Sequence, residues 1–219
     1  VTLVSAAALL IDLDGTLVDS GDHVEQAWRI FAQAHDLDPE TFLERAHGRR
    51  TKEVIYEVAP QLDVTASTIE VEGILADLGA VLTPGAGELV DVLPRHSWAI
   101  VTSSTAKLAG TRFRAPTSLR EPQVLVTAEA VSTGKPDPAG YLLAAMMLGV
   151  DPRECIVIED APAGVEAGKA AGMTVIGVLT THTAADLAAA DYLVADPAGI
   201  TVVSSNRGEP LKLELAVES

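Results

Sequence analysis

Five short runs of consecutive apolar residues, at 7–11, 97–101, 124–126, 156–158 and 174–178, constrain the fold of this chain more than any other feature. Each run is continuous rather than alternating, which predicts strands covered on both faces, as in a parallel sheet. Segments of helical character lie between them, at 87–93, 139–148 and 163–171. Strand and helix alternate, so an α/β fold with a doubly wound parallel sheet is expected. Such sheets place their ligands beyond the carboxyl ends of their strands. Asp12, Ser103 and Asp160 all fall at or just past such ends.

Residues 20–83 differ. They offer no clear strand but several amphipathic stretches, at 23–35, 51–59 and 65–78, punctuated by Pro39, Gly48 and Pro60. This segment reads as a helical insertion after the first strand, with the chain returning at Thr83-Pro84-Gly85. The expected partition is a core of residues 1–19 and 84–219 and a helical unit of residues 20–83. A turn at Asn206-Arg207-Gly208-Glu209-Pro210 precedes a final alternating strand at 211–217.

Hydrophobic residues make up 48% of the chain and aromatics only 4%, so its core must be built mainly of Ala, Val, Leu and Ile. No apolar run reaches the ~20 residues that span a bilayer, and the start lacks the basic region of a secretion signal. The single cysteine, Cys155, excludes an internal disulfide, suits a cytoplasmic location and reads as a small buried hydrophobe. Acidic residues number 31 against 15 basic, a formal charge of −16. That balance argues against nucleic acid and anionic membranes as partners. No long apolar seam demands a second subunit, so a monomer is expected.

The first apolar run leads directly into Asp12-Leu13-Asp14-Gly15-Thr16. Two carboxylates two residues apart in an extended stretch point the same way. They would repel each other unless a cation joined them. Asp12 is the candidate nucleophile, since a carboxylate can attack phosphorus and form an aspartyl-phosphate. Asp14 can protonate the departing alkoxide and later accept a proton from water, and its carbonyl can ligate a hard cation. Gly15 allows close approach to a phosphate, and Gly15, Thr16 and Ser104 join the candidate substrate-binding set. The Ser103 hydroxyl and neighbouring N–H groups can hold phosphoryl oxygens, a role compatible with a helix N-cap there. Lys135, in Gly134-Lys135-Pro136-Asp137-Pro138, sits in a stiff loop ahead of a helix and can offset phosphate charge. Glu159-Asp160 ends another buried run. With Asp12 and Asp14 these carboxylates form a hard-oxygen cluster suited to Mg²⁺ rather than zinc. The five histidines show no metal-ligand spacing, and Trp28 and Trp98 read as core residues.

These residues together resemble the haloacid dehalogenase superfamily of phosphotransferases over nearly the whole chain. Asp12-Leu13-Asp14-Gly15-Thr16, Ser103, Lys135 and Glu159-Asp160 match its four motifs in order. The resemblance implies a Rossmann-like core with a small helical cap after the first strand, Mg²⁺ as cofactor and an aspartyl-phosphate intermediate. It also implies that Asp12 and Asp160 ligate the metal by side chain, Asp14 by its carbonyl, and Glu159 directly or through water. Ala46-His47-Gly48-Arg49-Arg50-Thr51, residues 98–103 and Glu159-Asp160-Ala161-Pro162-Ala163-Gly164 are most similar to the sugar and polyol phosphatases. That implies a small phosphorylated metabolite as substrate, with Arg50, His47 and Thr51 facing its leaving group from the cap. The same cluster equally reads as a solvated helix end. A mutase of the β-phosphoglucomutase type shares all four motifs and remains an alternative. Phosphonate hydrolysis would call on Lys52 as a Schiff-base lysine but is at odds with Asp14. A non-catalytic phosphate-binding module would keep the ligands without turnover.

Overall fold

The computed structural model describes residues 1–19, 21–46, 48–114, 117–206 and 209–218. The chain starts with β1 (Thr2–Ala6), bends, and enters β2 (Ala8–Ile11). A short β3 (Val18–Asp19) leads into four helices, α1 (Gly21–Ala34), α2 (Glu40–Ala46), α3 (Thr51–Val58) and α4 (Val64–Leu78). The return strand β4 (Val81–Leu82) pairs antiparallel with β3, so a two-stranded neck joins this helical segment to the rest. Then follow α5 (Ala86–Val92), β5 (Trp98–Val101), α6 (Ala106–Arg112), β6 (Val124–Val126) and α7 (Ala139–Leu148). The chain ends with β7 (Cys155–Glu159), α8 (Pro162–Ala170), β8 (Thr174–Val178), β9 (Tyr192–Val194), β10 (Ile200–Ser204) and β11 (Leu211–Leu215).

All pairings in the main sheet are parallel, in the order β6-β5-β2-β7-β8-β9. The five apolar runs supply five of these strands, and successive residues of each run serve opposite faces. Leu9, Ile11, Ile100, Ile156 and Ile158 join one core with Leu89 and Val90 of α5. Ala8, Leu10, Ala99, Val101, Val157 and Val175 join another with Tyr141 and Ala144 of α7 and Val165 of α8. Covering both faces is what lets every residue of such a run be apolar. The chain runs from β2 outward through β5 to β6 and then crosses back to β7 on the other side of β2, so a ligand crevice is expected at the carboxyl end of β2. This is the Rossmann-like architecture anticipated above.

The helical segment carries its own cluster, with Trp28, Phe31 and Phe42 packed against Val54, Ile55, Val71 and Leu75. Trp28 stacks on Phe42 with ring centroids 5.0 Å apart. Thus three of the chain's few aromatic residues gather in this one cluster.

The structure adds elements that the apolar pattern does not announce. β1, β10 and β11 form a separate antiparallel sheet, in which the expected final strand pairs Leu211 to Leu215 with Ala6 to Thr2. β1 alternates half-exposed and exposed residues, so it has no continuous apolar run. Short β9, α2 and α6 were likewise unanticipated. Of the turn at 206–210, Arg207 and Gly208 lie outside the described residues, while the Glu209 N–H donates to the Asn206 carbonyl at 3.1 Å. No helix among the described residues is long and apolar enough to cross a membrane.

Candidate active site

Asp12 follows β2 directly, and its backbone N–H donates to the Ile158 carbonyl of β7 at 3.0 Å, which holds it between the two central strands. Its side chain meets Lys135, whose ammonium donates to Asp12 Oδ1, to Glu159 Oε1 at 2.5 Å and to the Val101 carbonyl at 3.1 Å. All three side chains are buried. Burial works to lower the Lys135 pKa, but the flanking Asp12 and Glu159 charges raise it beyond its ordinary value, so the ammonium stays charged. Burial pushes the Asp12 carboxyl well up, against the opposing pull of Lys135.

Glu159 is held on both oxygens. Oε1 also accepts from the Tyr141 hydroxyl at 2.7 Å, and Oε2 accepts the N–H groups of Asp160 and Ala161 at 3.2 and 3.3 Å. Four donors fill the four acceptor positions of a carboxylate. In this arrangement Glu159 orients Lys135 rather than offering a free lone pair.

Asp160 accepts from the buried Thr16 hydroxyl at 2.9 Å and from Thr181. Burial, then the Glu159 charge, push its carboxyl up to about 7. Gly15 adopts φ +94°, and a Cβ there would lie 2.2 Å from Asp160 Oδ2. The glycine is therefore required by backbone conformation and by close approach alike.

Asp12, Glu159 and Asp160 each place an oxygen within 4.8 Å of the others. With all three carboxylates ionised, the single ammonium leaves a buried excess of two negative charges, and Asp12 and Asp160 offer oxygen donors. That is the chemistry of a site for a hard divalent cation such as Mg²⁺.

Asp14 points elsewhere. Its Oδ1 accepts from Arg112 Nε and Nη2 at 3.1 and 3.0 Å, and its Oδ2 from the Ser104 hydroxyl at 2.8 Å. Arg112 is 2% exposed and stands 98 residues away in sequence. The Ser103 hydroxyl donates to the Gly48 carbonyl of the helical segment at 2.8 Å. Asp12, Asp14, Gly15, Ser103, Ser104 and Asp160 line one cavity, closed from the helical side by Trp28, Leu75, Gly48, Arg49 and Thr51.

Several expected binding residues sit differently. Thr16 turns its hydroxyl to Asp160 and does not line the cavity. The Gly15 N–H is taken by the Val18 carbonyl at 2.7 Å. Arg50 does not line the cavity: it is buried at the seam with the loop before Lys135. Arg49 is the cap cation at the cavity wall, braced by Glu57 at 3.0 Å. His47 lies outside the described residues. Lys52 is exposed and does not line the cavity, which removes the geometric basis for a Schiff-base lysine there. Burial and then the Asp151 charge push the Cys155 thiol up to about 12, as befits a core residue rather than a nucleophile.

Sequence reasoning missed Arg112 and Thr181. Thr180-Thr181 follows the fifth apolar run just as Ser103 follows the second, so the strand-end rule that selected Ser103 could have found Thr181. Nothing local marks Arg112; only the packing of α6 brings it to Asp14.

Over residues 6–172 the chain matches the family model of the haloacid dehalogenase-like hydrolases. It is 40% identical over 207 residues to hexitol phosphatase A of Escherichia coli (strain K12), covering 91% of this chain and 95% of that protein. It is 36% identical over 222 residues to 2-deoxyglucose-6-phosphate phosphatase 2 of Saccharomyces cerevisiae, covering 90% of each. Among solved structures, a hydrolase from Pseudomonas syringae superimposes with a TM-score of 0.75 at 26% identity, covering 87% of this chain and 94% of that one.

Proposed function

This chain belongs to the haloacid dehalogenase-like hydrolases, and we propose that it is a Mg²⁺-dependent phosphatase acting on small sugar or polyol phosphate monoesters. The observation that carries this reading is that Asp12 and Asp160 stand together at the wall of a cavity roofed by the helical cap, with buried Lys135 paired to Asp12. Similarity to a hexitol phosphatase and a deoxyglucose-6-phosphate phosphatase supports the substrate class.

Asp12 attacks phosphorus, and the bond from phosphorus to the sugar or polyol oxygen breaks. Asp14, protonated for this step, gives its proton to the departing alkoxide. A water then attacks the aspartyl-phosphate and Asp14 takes its proton. The Asp12–phosphorus bond breaks, inorganic phosphate leaves, and Asp12 is regenerated. Arg112 and the Ser104 hydroxyl hold the Asp14 carboxyl in place at the cavity. Lys135 neutralises Asp12 and the phosphoryl oxygens, with its direction set by Glu159. Mg²⁺, held by Asp12, Asp160 and the Asp14 carbonyl, would offset the charge of the phosphoryl group. The cavity wall mixes the apolar faces of Trp28, Leu75 and Leu108 with Ser103, Ser104, Arg49 and Thr51. Such a lining suits a polyhydroxy group, with C–H faces on one side and hydroxyls on the other.

The test is phosphate release with Mg²⁺ from glycerol, hexitol, hexose and deoxyhexose phosphates, with β-glucose 1-phosphate also followed for isomerisation. Release from one narrow group, lost by about 10³-fold or more in Asp12→Asn with unchanged circular dichroism, is expected. Isomerisation without release would make the protein a mutase. Binding without turnover would make it a phosphate-binding module.

A further inference from the structure

We infer that Arg50 and Glu53 form a clamp through which the helical cap positions Lys135, so that Arg50 serves as a positioning residue rather than a substrate contact. The inference rests on the functional reading above, in which Lys135 is catalytic.

Arg50 is the N-terminal boundary residue of α3, and its side chain is buried. Its Nη2 donates to the Val131 carbonyl at 3.1 Å and its Nη1 to the Ser132 carbonyl at 3.3 Å. Glu53, one turn further along the helix, lies 3.4 Å from Arg50 Nη1. Its Oε1 accepts the Gly134 N–H at 3.0 Å. One ion pair on the cap thus grips three backbone groups in the four residues that precede Lys135. A Cβ on Gly134 would lie 2.8 Å from Arg50 Nε and 2.9 Å from Glu53 Oε1. The two side chains lie flat on that backbone, and only glycine leaves them room.

The consequence concerns Lys135. Its ammonium must reach Asp12, Glu159 and the Val101 carbonyl together, so a small displacement of its backbone loses the arrangement. Glu159 and Val101 fix the far end of the side chain; the clamp fixes the near end. With Glu53 partly exposed, the ion pair itself adds little net stability. Its value here is geometric. Arginine also suits the task because its planar guanidinium holds donors on separate nitrogens in a rigid fork, here one to each carbonyl, whereas a lysine ammonium is a point charge on a flexible stem. These contacts require α3 to lie against the 131–134 loop, so the clamp ties the placement of Lys135 to closure of the cap.

The experiment compares wild type, Arg50→Ala, Arg50→Lys and Glu53→Ala on p-nitrophenyl phosphate and on the best metabolite of the panel, and follows amide hydrogen exchange at Gly134. A positioning role predicts that kcat falls about 10- to 100-fold on both substrates while KM changes less than about 2-fold. Arg50→Lys stays low, added guanidinium ion restores part of the Arg50→Ala rate, and Gly134 exchange quickens by about 10-fold or more in Glu53→Ala. Losses carried by KM, or confined to the metabolite, would return Arg50 to substrate binding and overturn the inference. So would unchanged kcat, or a lost kcat with Gly134 exchange unmoved in every variant. If wild type itself releases no phosphate, the functional reading fails by that result alone. Gly134 exchange then decides whether the clamp exists.

Discussion

Burial and the adjacent Glu159 charge push the Asp160 carboxyl up to about 7, against an ordinary value of 3.8. Below 3.8 the carboxyl is protonated in both folded and unfolded chains, and its burial is not penalised. Between 3.8 and about 7 the folded protein keeps a proton that the unfolded chain has released, so this group's contribution to stability falls as pH rises. Asp12 is shifted in the same direction by its own burial. A divalent cation relieves that penalty by binding the ionised pair. The rise in unfolding temperature caused by Mg²⁺ is therefore expected to be larger at pH 8 than at pH 5.5, as differential scanning calorimetry with and without chelator would show. An equal rise at both pH values would mean that Asp160 is not a ligand. Asp14 poses the opposite problem, because its charge is already matched by Arg112. Arg112→Met strips that cation away and should lower stability by about 3 kcal/mol in urea unfolding. Asp14→Asn combined with Arg112→Met should recover part of the loss, since no half-buried carboxylate is then left without its cation.

At the scale of elements, the turn after β2 is the most demanding piece of backbone. It must release Asp12 into the crevice, bring Gly15 against Asp160 and close the Gly15 N–H on Val18. Gly15→Ala meets both a positive φ and a 2.2 Å contact. It should cost at least about 2 kcal/mol in chemical unfolding and weaken Mg²⁺ binding measured by calorimetry. Retention of wild-type Mg²⁺ affinity would show that the turn can relax without moving Asp160. The strands that frame this turn were legible because each is a continuous apolar run at a strand's length. Helix α6 was not: its seven residues, AKLAGTR, carry a weak apolar pattern, and its start is set by Thr105, whose hydroxyl accepts the Leu108 N–H. Glu72 of α4 accepts from Thr105 at the same point, so a contact with the cap helps define a core helix. Of the side sheet only β11 was legible, as an alternating strand; β1 exposes every other residue without a full apolar face and acquires meaning only as the partner of β11.

For the whole molecule, the charge of −16 sets a long-range field that repels an anionic substrate. The site answers with local cations, Lys135, Arg112 and Arg49, none of which changes the distant field. With Mg²⁺ saturating, raising ionic strength from about 10 to 150 mM shortens the Debye length to roughly 8 Å and should raise kcat/KM for phosphate monoesters by about 2- to 3-fold. A fall in kcat/KM with salt would show that the local cations already steer the substrate.

Sequence alone marked five of the six strands of the main sheet, since burial on both faces demands unbroken apolar runs, and it put Asp12, Ser103 and Asp160 at or just past strand ends, where a parallel sheet opens its crevice. It also separated out the helical segment, which lacks runs of that kind. Tertiary structure alone decided which charges meet. Arg112 reaches Asp14 across 98 residues, Glu159 turns wholly to Lys135, Tyr141 and the backbone, and Arg50 goes to a loop rather than to the cavity. The physical reason is range: apolar periodicity is written over a handful of neighbouring residues, whereas the partner of a buried charge is whichever group the packing of distant elements delivers within about 3 Å.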